Sequence, residues 1–107
     1  MNFSVEITLR FDKELKRLSK KYPSLKTEFI DLVTSLEEVP VQGKPIGNGF
    51  YKIRLSIASK GKGKRGGARV VTYVKIIDQV VYLTTIYDKS EKDNISQKEL
   101  DAILTDL

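Results

Sequence analysis

Cysteine and histidine are both absent from the 107 residues. Without cysteine there is no disulfide scaffold, no thiolate zinc site and no thiol nucleophile. Without histidine the chain lacks the commonest metal ligand and the commonest general base. Ser-His-Asp hydrolases and zincins are thereby excluded. Any catalysis must draw on Lys, Arg, Tyr, Ser, Thr or carboxylates, and neither a metal nor a cofactor is expected. No apolar run approaches the ~18 residues of a membrane span. The first ten residues alternate and include Glu6, unlike a signal peptide, so the reading is a cytoplasmic protein with no membrane partner.

Acid is missing from one long stretch. Residues 39–77 hold nine bases and no carboxylate, whereas 1–38 are charge-balanced and 78–107 have three bases against seven acids. The overall +5 is therefore concentrated in the middle of the chain, as expected of a surface that meets a polyanion or an acidic partner. The plainer reading of such a stretch is a solvated face. With 40% hydrophobic residues there is enough apolar material for a core, and the length suits one domain, 1–107.

Phe3, Val5, Ile7 and Leu9 alternate with polar residues, which predicts a half-buried strand. Asp12 is a candidate helix cap. Leu15, Leu18 and Tyr22 have helical spacing up to Pro23, and Leu25, Phe29, Leu32, Val33 and Leu36 form the stripe of a second helix over about 24–38. The prolines and glycines of 40–49 predict a loop. Strands are expected at 50–58, 68–77 and 80–87, with a tight turn at Asp78-Gln79. Ser96 and Glu99 form a capping box ahead of a final helix. The order β-α-α-β-β-β-α predicts an α+β fold, a helix hairpin packed on a mainly antiparallel four-stranded sheet.

If Ile53, Leu55 and Ile57 face the core with Val70, Val74 and Ile76, then Lys52, Arg54, Arg69 and Tyr73 share the opposite, partly open face. The segment Lys60–Gly67 lies at its edge. Arginine offers a planar fork to phosphate, tyrosine can stack on a base, and glycines between lysines let backbone N–H groups approach an anion. The segment is no P-loop, because it lacks GxxxxGK[ST] and joins antiparallel strands. No RNP1 motif is present either.

The element order resembles that of the RelE/ParE toxin superfamily, most closely its HigB-like branch. So do Tyr51–Ala58, the basic run Lys60–Val71 and the closing Ile86–Ser96. The resemblance implies a type II toxin held by a cognate antitoxin, acting on mRNA in the 30S A site of the ribosome. It implies metal-independent attack of a ribose 2′-OH on its 3′ phosphate. By the same resemblance Lys52, Arg54, Arg69, Lys89 and Tyr87 are the catalytic candidates. Lys60, Lys62, Lys64, Arg65 and Tyr73 are the RNA-binding ones. Two alternatives stand beside this: a ParE-like inhibitor of DNA gyrase, and a non-catalytic RNA-binding module.

Overall fold

The computed structural model describes residues 2–61 and 66–107, so Lys62, Lys64 and Arg65 lie outside the described residues. Strand β1 (Ser4–Ile7) leads into a helix hairpin, α1 (Leu9–Lys21) and α2 (Leu25–Glu38). Four strands follow, β2 (Lys44–Gly47), β3 (Phe50–Leu55), β4 (Ala68–Lys75) and β5 (Val80–Asp88), and then helix α3 (Gln97–Asp106). The five strands form one sheet in the order β1-β5-β4-β3-β2, antiparallel except for β1 beside β5.

The first strand is shorter than its alternation predicts. Thr8 ends it by accepting the Phe11 N–H at 3.2 Å, so Thr8, not Asp12, caps α1. Asp12 instead sits in the first turn, where it suits the helix dipole and pairs with Lys16 at 3.0 Å. Leu9 is consequently helical and exposed. The region 40–49 is not all loop, and the sheet has five strands, not four. Lys44–Gly47 pairs with β3 through a two-residue turn in which Asn48 (φ 53°) and Gly49 (φ 85°) are both left-handed. That geometry matches the right-handed twist of a hairpin and is the reason an Asn-Gly pair sits there. Between β4 and β5 the turn takes four residues. Ile76 belongs to it and is exposed, where the alternation placed it in the core.

Phe11, Leu18, Leu25 and Leu36 of the hairpin pack on Ile53, Val70, Leu83 and Ile86 of the sheet. The opposite face is not left open. Ile95, Leu100 and Ile103 of α3 and the segment before it bury Val71, Tyr87 and Phe50. The capping box that starts α3 is present, Ser96 Oγ accepting the Glu99 N–H at 3.1 Å.

Candidate functional site

Register brings the predicted residues together. Arg54 of β3 lies opposite Arg69 of β4, which lies opposite Tyr87 of β5; one step along, Lys52 is opposite Val71. Directly opposed residues share a face, so Lys52, Arg54, Arg69 and Tyr87 form one patch on the α3 side of the sheet. Lys44 of β2 lies opposite Lys52 and extends the patch to the sheet edge. Two of these cross-strand pairs, Lys44/Lys52 and Arg54/Arg69, set like charge against like charge, an arrangement that costs stability unless an anion meets it.

Exposure is uneven. Arg54 is exposed and Lys52 half-buried, its Nζ donating to Asn94 Oδ1 at 3.1 Å. Arg69 is only 5% exposed and donates from Nη1 to the Ala68 carbonyl at 3.1 Å, so it is part of the packed structure and not an open-face residue. Burial lowers the Lys52 pKa, and the nearby charges of Lys44, Lys89, Arg69 and Arg54 lower it further. A lysine in such surroundings holds its proton less tightly than usual, which is what a proton acceptor near neutral pH requires.

Tyr87 is buried opposite Arg69 on the neighbouring strand. Burial raises its pKa, against the pull of Arg69, so the phenol stays protonated. Its Oη finds no partner among the described residues, and Lys92 Nζ lies 5.4 Å from the ring centroid. Lys89 is tied down, Nζ donating to the Asp93 carbonyl at 2.6 Å and to its carboxylate at 2.8 Å. Tyr73 stands on the same face further down its strand, between Phe50 (centroids 5.1 Å) and Tyr82 (6.2 Å).

Lys60 is placed elsewhere. Its Nζ pairs with Asp88 Oδ1 and donates to Ser90 Oγ at 3.1 Å, and its side chain is 7% exposed. Asp88 also accepts from Tyr22 Oη at 2.6 Å and from the Ser90 N–H at 2.9 Å. Burial alone would raise this carboxyl. The hydrogen bonds from Lys60, Tyr22 and Ser90 outweigh it and hold the group well below the usual carboxylate range. Asp88 thus fastens the end of β5 to the helix hairpin and to the start of the basic segment, a role its sequence context does not reveal. Lys44 and Asn94 were also missed. The Asn48-Gly49 pair is the signal that would have found the hairpin and with it Lys44.

Residues 9–105 match the model of the family described as the RelE toxin of the RelE/RelB toxin–antitoxin system. The chain belongs to the RelE toxin family. It is thus a toxin of a toxin–antitoxin system. Similar solved structures share the RelE fold. One is an arginine mutant of E. coli RelE in the free state, at TM-score 0.66 and 17% identity over 100% of this chain and 99% of that one. Isolated E. coli RelE matches at 0.57 and 24%, over 98% and 99%. The RelBE2 toxin–antitoxin complex of Mycobacterium tuberculosis matches at 0.59 and 16%, over 82% and 99%. None of these three singles out the HigB-like branch. No helix among the described residues of this RelE-family chain is long and apolar enough to cross a membrane.

Proposed function

We propose that this RelE-family toxin cleaves mRNA on the ribosome by 2′-OH attack on the adjacent 3′ phosphate, and that an antitoxin holds it inactive. The observation behind the reading is the convergence of Lys52, Arg54 and Arg69 on one face, with the pKa of Lys52 lowered. Neutral Lys52 accepts the 2′-OH proton. The 2′-oxygen bonds to phosphorus, the bond to the 5′-oxygen breaks, and a proton returns to that leaving oxygen. Arg54 and Arg69 remain charged throughout and stabilise the extra negative charge of the phosphorane-like transition state. Tyr87, which keeps its proton, and Lys89 are the groups on this face able to return one to the 5′-oxygen.

The fragment ends decide the chemistry. Programmed ribosomes incubated with the chain should give an upstream fragment ending in a 2′,3′-cyclic phosphate and a downstream fragment with a 5′-hydroxyl. Fragments with 3′-hydroxyl and 5′-phosphate ends, or intact mRNA with a folded protein, would contradict it.

A further inference from the structure

Lys52 is held by a side chain from outside the sheet. Its Nζ donates to Asn94 Oδ1 at 3.1 Å, and the same oxygen accepts the Ile95 N–H at 3.0 Å. Both neighbours are donors, so the amide must turn its oxygen, not its nitrogen, towards Lys52. The backbone around Asn94 is fixed on both sides. Ile95 is buried in one cluster with Phe50, Val71 and Tyr87. The Asp93 carbonyl accepts from Lys89 Nζ at 2.6 Å. A side chain pinned in this way can hold the end of a long lysine that would otherwise sample many rotamers.

The end of the chain is acidic, with seven carboxylates against three bases over 78–107, yet the side chain set against Lys52 is an amide. The adjacent Asp93 carboxylate is engaged elsewhere, accepting from Lys89 Nζ at 2.8 Å. Lys44 of β2, Arg54 of β3, Arg69 of β4 and Lys89 are the other charges around the amine, all basic. Glu28 and Asp31 of α2 line the groove at the β3 edge that Lys52 also borders. A carboxylate in place of Asn94 would favour the ammonium form, which cannot accept a proton. An amide oxygen takes one N–H and adds no charge. With that N–H held, the lone pair of the neutral amine is left only the staggered directions away from the amide. We propose that Asn94 is the positioning residue of the proton acceptor: its carbonyl oxygen aims the Lys52 Nζ at the 2′-OH while supplying no charge. The inference rests on the reading of Lys52 as that acceptor. Asn94 acts through Lys52, so its loss slows the chemical step and leaves KM unchanged.

Asn94→Asp is the decisive variant, because a carboxylate accepts both hydrogen bonds in the same geometry and differs only in charge. The Lys52 amine is followed by NMR in the full chain carrying 13C at lysine Cε, its signal assigned with Lys52→Arg. In Asn94→Asp its titration should move up by about one pH unit or more, the effect of an opposite charge at close range. Cleavage on programmed ribosomes should then fall about tenfold on the rising part of the pH profile and recover at higher pH. Asn94→Ala should move the titration down, since a carbonyl favours the ammonium that donates to it. It should also lower the plateau kcat about 10- to 100-fold at unchanged KM, the scale of misplacing a reacting group. An unmoved Lys52 titration in folded Asn94→Asp means a structural contact only and overturns the proposal. A folded Asn94→Ala chain with a plateau kcat within about twofold of wild type also overturns it. A wild-type chain that does not cleave removes the nuclease reading, and the titrations still decide whether Asn94 governs the Lys52 amine.

Discussion

Replacing Asp88 by Asn is the severest single test of how this fold holds its site. The carboxylate is fully buried and accepts from Lys60, Tyr22 and Ser90. The amide of Asn keeps the volume and one acceptor oxygen but removes the charge, which leaves the Lys60 ammonium, itself 7% exposed, without its counter-ion. Breaking one partner of a buried ion pair costs about 3–5 kcal/mol. Against a total of roughly 5–15 kcal/mol for a domain, that is a large part of the stability. At about 4 °C per kcal/mol for a chain of this size, Tm should fall by roughly 12–20 °C. Thermal unfolding followed by circular dichroism measures it directly, and urea titration gives the free-energy loss. The double variant Lys60→Met with Asp88→Asn should recover most of the loss, because it removes the buried ammonium that the single change leaves uncompensated, while Asn still accepts from Tyr22 or Ser90. Asp88→Asn within ~0.5 kcal/mol of wild type, or a double variant no better than the single one, would refute the clamp.

Lys44→Gln removes a like charge opposite Lys52, so the rise of the cleavage rate with pH should move to higher pH while the fold is kept; a pH–rate profile unchanged from wild type would count against the coupling. Arg69→Ala should both destabilise the chain, by about 1.5–3 kcal/mol for the lost hydrogen bond of a buried charged group, and lower cleavage by ~100-fold or more. Arg69→Lys should separate the two, restoring more stability than activity, since an ammonium lacks the guanidinium fork. Acid should unfold the protein through Asp88 and Glu99. Hydrogen bonding from Lys92 takes Glu99 down to about 2, against burial, with the Ser96 N–H assisting. Both carboxyls bind protons more weakly when folded, so their contribution is complete above the unfolded values near pH 4 and is lost as pH falls from about 4 towards 2. Equal stability at pH 6 and pH 3 would contradict this.

The helix hairpin was legible because its stripes are long and regular: Leu18, Leu25, Leu32 and Leu36 are buried as their spacing requires. The sheet face was legible for the same reason, since alternation along β3 and β4 puts Lys52, Arg54 and Arg69 on one side. The cover over that face was not. Leu100 and Ile103 belong to an apolar stripe, but nothing local says which sheet face it meets, so Arg69 read as an open residue and is in fact buried. Edge strand β2 was hidden by Pro45, which argues against a strand except at an edge, the place it occupies. Lys60 read as a free cation because its counter-ion lies 28 residues away, and a long-range ion pair leaves no periodic trace.

Lys52→Arg tests most directly whether Lys52 is the proton acceptor. The substitution keeps the positive charge opposite Lys44 and beside Asn94 but replaces an amine of lowered pKa with a guanidinium that stays protonated. In single-turnover cleavage on programmed ribosomes, with matched circular dichroism and saturating toxin, the variant should bind as wild type does and cleave ~100- to 10,000-fold more slowly, the range of a lost general base. The pH dependence assigned to Lys52 should vanish with it. Cleavage by a folded Lys52→Arg chain within a few-fold of wild type, with the same pH profile, would contradict the assignment of Lys52 as proton acceptor.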